Sequence, residues 1–170
     1  MVTSRVFRMP VSIFGRGSSD NVGTELKSMG AKKVLIVTDK VLCELGTLTN
    51  IISSLKAEGL AFQIFNKLPT EPTIEFVADG TKILKESGCN VLLAVGGGTS
   101  IDTAKAISVM AVNKGYIEDY IGADKIPNPG LPLVAIPTTA GTGSEVTIFT
   151  IITNTKTDVK MLIASPHLMP

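Results

Sequence analysis

Gly96, Gly97 and Gly98 follow without a break on the apolar run Val91-Leu92-Leu93-Ala94-Val95, and Thr99, Ser100, Ile101, Asp102, Thr103, Ala104 and Lys105 come next. A buried strand that breaks into glycines and restarts as a helix gathers several backbone N–H groups and the positive end of a helix dipole at one point, which suits phosphate. Glycine fits such a turn because a side chain would block the approach of a pyrophosphate, and because the turn needs backbone angles other residues reach only with strain. Gly97, Gly98 and Thr99 are the candidate pyrophosphate contacts, with Ser100 as a second hydroxyl donor or a helix cap. The stretch has neither Gly-x-Gly-x-x-Gly spacing nor a Gly-Lys-Ser/Thr ending, so an ordinary strand-to-helix turn stays open as the plain alternative.

Three further places carry chemistry. Asp39 ends the run Val34-Leu35-Ile36-Val37-Thr38, where a carboxylate accepts hydrogen bonds from an adenosine ribose and repels a 2′-phosphate, which predicts NAD over NADP. A helix cap is the other reading of that aspartate. Asp102 falls in a first helical turn, where a carboxylate favours the dipole with or without a ligand, so capping and cofactor contact both remain. Lys105, one turn on, reads as a surface lysine. Thr138, Thr139 and Thr142, interleaved with Gly141 and Gly143, form a hydroxyl-rich loop suited to a neutral ribose or adenine, although Thr and Gly also satisfy local turns on their own.

The elements that position these residues alternate along the chain. Ser18 or Ser19 can cap a helix whose inward residues are Val22, Leu26 and Met29 and which Gly30 ends. A helix from about Leu48 to Glu58 carries Ile51, Ile52 and Leu55 on one face and stops at Gly59; the run Ala61 to Phe65 follows. Another, from about Ile74 to Glu86 with Val77, Ile83 and Leu84, closes at Gly88. The helix from Ile101 to Val112 leads through a Pro/Gly-rich loop, Ile126 to Pro132, to Leu133-Val134-Ala135-Ile136. Short apolar strands between amphipathic helices imply a mostly parallel sheet covered on both faces, a doubly wound α/β fold. Val146–Ile152 and Val159–Ile163 read instead as a β-hairpin, with Lys160 on its outer strand. An extended segment spans about Val6 to Ile13.

The 170 residues suit one domain, residues 1–170, with 44% apolar and 18% charged residues. A net charge of +1 with scattered Lys and Arg gives no reason to expect nucleic acid. No signal core or membrane-length apolar run is present, so no membrane partner is expected and the expected location is cytoplasmic. Cys43 and Cys89 read as reduced structural thiols. His167 is the single histidine, no His-x-x-x-His pair exists, and no metal ligands are expected within these residues.

The glycine segment with its Asp and Ala-Lys resembles the nucleotide-binding turn of the iron-containing alcohol dehydrogenases. Ile136-Pro137-Thr138-Thr139-Ala140-Gly141-Thr142-Gly143-Ser144-Glu145-Val146-Thr147 is similar to that family's second signature, at the expected distance downstream. Phe14-Gly15-Arg16-Gly17, Val37-Thr38-Asp39-Lys40, Pro72-Thr73 and Pro166-His167-Leu168-Met169-Pro170 extend the resemblance along the whole chain, which is similar to members of the lactaldehyde reductase and 1,3-propanediol dehydrogenase type. It implies a Rossmann-like amino-terminal domain, also similar to that of dehydroquinate synthase, which binds NAD. The helical domain that holds Fe2+ or another divalent ion is then missing from this chain, which is expected to be inactive alone.

By resemblance Thr138, Thr139 and Thr142 lie against the cofactor, Lys105 stands near the site as the alternative to a surface lysine, and Lys160 reaches the nicotinamide ribose, an edge-strand gatekeeper being the other reading of that lysine. The intact protein is then expected to interconvert small alcohols and aldehydes or ketones by hydride transfer, as a homodimer in which the extended segments of two subunits pair. A nucleotide-binding module without catalysis, or a relative of glycerol dehydrogenase, are the alternatives. Glu71 departs from the family pattern, which usually has Asn or another uncharged residue before Pro72.

Overall fold

Strands apolar at every position need cover on both faces, and the computed structural model, which describes residues 9–68 and 71–170, supplies it. The chain runs through α1 (Val22–Ser28), β1 (Lys33–Asp39), α2 (Lys40–Glu44), α3 (Thr49–Ala57), β2 (Ala61–Leu68), α4 (Ile74–Ser87), β3 (Val91–Gly96), α5 (Gly98–Met110), β4 (Gly122–Ala123), β5 (Leu133–Pro137), β6 (Phe149–Asn154) and β7 (Val159–Ala164). The main sheet is parallel throughout, in the order β2-β1-β3-β5. This is the expected doubly wound α/β fold, with β3 central and its glycines at the carboxyl edge.

The period-two geometry of the strands divides the core. Val34, Ile36, Val91, Leu93 and Val95 pack with Leu26, Ile51 and Leu55 from α1 and α3. Leu35, Val37, Leu92 and Ala94 point the other way, onto Leu84 of α4 and Ile101, Ala104 and Ile107 of α5. A second sheet, β4-β7-β6, closes a third apolar cluster in which Ile152, Met161 and Ile163 meet Val77, Ala106, Val109 and Met110. α5 is therefore enclosed between two sheets, and every residue from Ser100 to Met110 is buried. Its polar side chains are satisfied locally: Thr103 Oγ1 donates to Thr99 O at 2.7 Å, and Ser108 Oγ to Leu131 O at 2.7 Å. An amphipathic helix was expected here, but one covered on both sides has no water-facing stripe.

Several local expectations are corrected. α1 is preceded by a 3-10 turn, Ser18–Asn21, capped by Gly17 at φ 81°; neither Ser18 nor Ser19 caps it, and Met29 at the helix end is 42% exposed. α2 and β4 are elements that periodicity does not reveal, being five and two residues long. Val146 closes a 3-10 turn, Ser144–Val146, so the hairpin begins at Phe149. Gly30, Gly59 and Gly88 each adopt positive φ just after a helix, as their positions imply. Of the extended segment, Val6 and Phe7 lie outside the described residues, and Val11 and Ile13 are exposed without entering a strand. Cys43 and Cys89 are free thiols, the second buried.

Candidate functional site

The glycine turn is shaped by its neighbours as much as by its own backbone. Gly96 has φ +150°, and a Cβ there would meet Ser100 Cβ at 2.8 Å. A Cβ on Gly97 would stand 2.9 Å from Thr139 Oγ1, and one on Gly98 would be 3.4 Å from Ser144 Oγ and 3.6 Å from Thr142 Cβ. The threonine loop thus closes directly over the glycines, fixed by Thr138 N–H donating to Gly96 O at 3.0 Å. Gly97 heads α5 with no side-chain cap, so the first-turn amides point at the carboxyl edge of the sheet.

Beside this turn lies an open cleft of about 160 Å3, lined by Gly98, Thr99 and Asp102 from α5, Ile151, Thr153 and Lys160 from the hairpin, and Glu71 with Pro72. Glycine turn, threonine loop, Asp102 and Lys160 are therefore brought together. Ser100 is not presented to this cleft as a cap or donor: it is 1% exposed and packs beneath Gly96. Asp39 stands at the neighbouring strand end, and its Oδ1 accepts from Leu42 N at 2.8 Å as the cap of α2. The cap reading of Asp39 is realised, with a geometric link to the turn, because Leu42 Cδ1 lies 3.5 Å from where a Gly96 Cβ would be.

Asp102 does more than face a dipole. Its Oδ2 accepts from Ile151 N at 3.0 Å and its carbonyl accepts from Thr150 Oγ1 at 2.9 Å, which pins β6 to α5. Burial pushes its carboxyl up, against the Ile151 N–H, Lys105 and the Ser144 hydroxyl, which favour the charged form. Oδ1 still lacks a hydrogen bond of good geometry among the described residues, as does Thr38 Oγ1 at the end of β1. An orphaned carboxylate oxygen on Asp102, in the lining of a cleft that Gly98 also lines, fits a polar ligand.

Lys105 is not a surface lysine. It is fully buried, and its Nζ donates to Thr147 O at 2.7 Å and to Phe149 O at 2.9 Å. Burial pushes its ammonium down to about 8, opposed by the Asp102 and Glu145 carboxylates. It ties the end of the threonine loop to the start of the hairpin. The Ala-Lys spacing on a helix was the only sequence signal for it.

Lys160 meets Glu71 Oε1 at 2.8 Å, and Thr153 Oγ1 donates to the other oxygen of Glu71 at 3.2 Å. The Lys160 ammonium and this hydroxyl hold the Glu71 carboxyl below its usual range. β7 is the middle strand of its sheet rather than the outer one, but β4 pairs only with Ile163 and Ala164, so Lys160 still occupies an open stretch of edge. His167 is half-buried in another crevice with Ser108 and Leu131. Among the described residues no three His, Cys, Asp or Glu side chains form a group able to hold a metal ion. No helix among them is long and apolar enough to cross a membrane.

Fold and site together define a doubly wound α/β domain organised around a glycine turn at the carboxyl end of its central strand. The chain belongs to the iron-containing alcohol dehydrogenase family, whose profile, "Iron-containing alcohol dehydrogenase", matches residues 10–170. It is 43% identical over 164 residues to the NAD-dependent methanol dehydrogenase of Bacillus methanolicus, covering 96% of this chain and 43% of that protein. It is 36% identical over 171 residues to the lactaldehyde reductase of Escherichia coli strain K12, covering 99% of this chain and 45% of the relative. A solved 1,3-propanediol oxidoreductase superimposes with a TM-score of 0.93 at 36% identity, over 98% of this chain and 44% of that one. The chain thus spans less than half the length of these relatives.

Proposed function

We propose that this chain is the NAD-binding half of an iron-dependent alcohol dehydrogenase that interconverts small alcohols and aldehydes or ketones. The reading rests above all on one observation: the buried β3 breaks into Gly96–Gly98 and hands over to α5, whose first turn opens on a cleft. The first-turn amides at Gly98 and Thr99 hold the pyrophosphate through the helix dipole. Thr138, Thr139 and Thr142 give hydroxyls to the ribose and adenine side, while Asp39 uses its remaining carboxylate oxygen on the adenosine ribose and disfavours a 2′-phosphate. Asp102 and Lys105 act from within by fixing the loop and the hairpin that form the walls, and Ser100 packs the turn from beneath.

The bound nicotinamide supplies the hydride acceptor or donor. In this reading the chain's part is to bind and orient the cofactor and to keep water from its buried side. A cytoplasmic homodimer belongs to the same reading, supported by the exposure of Val11 at 94% and Ile13 at 51%.

The test is a fluorescence titration of the chain with NADH and NADPH, alongside Asp39→Gly. Saturable NADH binding, weaker in the variant and with little response to NADPH in the parent, is the expected result. Equal binding of both nucleotides by parent and variant overturns the role of Asp39, and no binding of either overturns the assignment of the cleft.

A further inference from the structure

The cleft beside the glycine turn carries one salt bridge on its wall, and both partners belong to the lining. Lys160 is the cation among those lining residues, and Glu71 is the carboxylate that meets it. The pair joins the segment ahead of α4 to the hairpin, 89 positions away in sequence. Of the neighbouring charges, Glu75 Oε1 accepts from Thr155 Oγ1 and Lys156 Nζ lies 3.7 Å from Glu118 Oε1, while the Asp102 carboxyl, also in the lining, is tied through Oδ2 to Ile151 N. Thr153 holds Glu71 from its other side, so the carboxylate is fixed over Lys160 by two contacts.

We infer that Glu71 restrains Lys160, cancelling the one positive side chain among the described residues of the cleft wall and thereby weakening the grip on a dinucleotide and speeding its release. This rests on the cofactor-binding reading of the cleft. An incoming pyrophosphate is drawn by the α5 N-terminus and by Lys160, and repelled by a carboxylate held beside that lysine. Both partners are half-exposed or more, with side chains 65% and 48% accessible, so solvent screens the effect to a modest factor. The pair is a brake rather than a lock, and Lys160 has to leave Glu71 to reach an anion.

The experiment is NADH titration with stopped-flow release on the parent, Glu71→Gln, Glu71→Asn, Lys160→Met and the double variant Glu71→Gln/Lys160→Met, at low and high salt. Both Glu71 variants keep an amide beside Lys160 and Thr153 while removing the charge. Each is expected to bind NADH about fivefold more tightly, mainly through slower release, with the gain shrinking at high salt. Lys160→Met is expected to bind more weakly than the parent, and on that background Glu71→Gln gains little. Circular dichroism melting of each variant separates folding from binding. Affinity unchanged within twofold, or weaker, in both Glu71 variants overturns the inference and leaves the cofactor site standing. A parent that binds no NADH overturns both.

Discussion

The two sheets of this molecule obey different rules. In the main sheet the central strands are buried on both faces, and β3 is buried at every position from Val91 to Gly96. In the hairpin only one face is covered: Thr150, Ile152, Met161 and Ile163 are buried, whereas Phe149, Ile151 and Leu162 on the other face are 44–49% exposed. The rigid sheet supplies the glycine turn, and the half-covered one supplies a cleft wall. Ile151 shows the join, because its amide is held by Asp102 while its side chain lines the cleft. A site built this way has one wall fixed by packing and one fixed by a few polar ties to α5.

The sharpest way to break this comparison is truncation on each side. Leu93→Ala, in a fully buried β3 position, is expected to cost about 3 kcal/mol or more in urea unfolding, the cost of an unfilled core cavity. Leu162→Ala, half-exposed on the hairpin, is expected to cost under ~1 kcal/mol. Equal losses at the two positions would show that the outer face of the hairpin is covered in solution.

Next in size is Lys105→Met, which removes the tie to the Thr147 and Phe149 carbonyls and leaves both acceptors without this donor, at about 2 kcal/mol. The same variant changes the pH dependence. With the ammonium pushed from 10.5 to about 8 in the folded chain, the unfolded chain carries the extra proton between those values. Stability contributed by this group therefore rises as pH climbs from 8 to 10.5. Unfolding free energies measured at both ends of that window should rise less in Lys105→Met than in the parent; identical slopes would refute the burial of a charged lysine here.

Gly97→Val is expected to cost about 1–2 kcal/mol, since its Cβ would stand 2.9 Å from Thr139 Oγ1 and push the threonine loop away. NADH binding should fall more than stability does, so titration and thermal melting are read together. The smallest effect belongs to Asp102→Asn, which keeps an acceptor for Ile151 N–H and removes a buried charge. Burial raises the Asp102 carboxyl, so the folded chain holds its proton above 3.8, where the unfolded chain has lost it. Stability from this group falls as pH rises through that window, and acid titration of Asp102→Asn should show less of that fall.

Much of the main sheet is legible in the residues. Uninterrupted runs such as Val34–Val37 and Val91–Val95 cannot expose either face, and Gly30, Gly59 and Gly88 stop helices where left-handed backbone is needed. The glycine turn and the threonine loop are legible for the same reason, because their composition is tied to local backbone geometry. Met29, α2 and β4 were not, since a helix end, a five-residue helix and a two-residue strand carry too little period to read.

Residue types and their local order determined the strand-helix alternation, the hairpin and the place of the candidate turn. Tertiary structure alone decided which polar groups meet. A lysine on a helix reads as solvated until a second sheet is laid over that helix, and only then do the carbonyls of Thr147 and Phe149 take the place of water around Lys105. Glu71 and Lys160 likewise become partners only when the hairpin folds back beside α4. Local sequence sets the backbone, whereas the energy of a buried or paired charge depends on what the chain brings to it from far away.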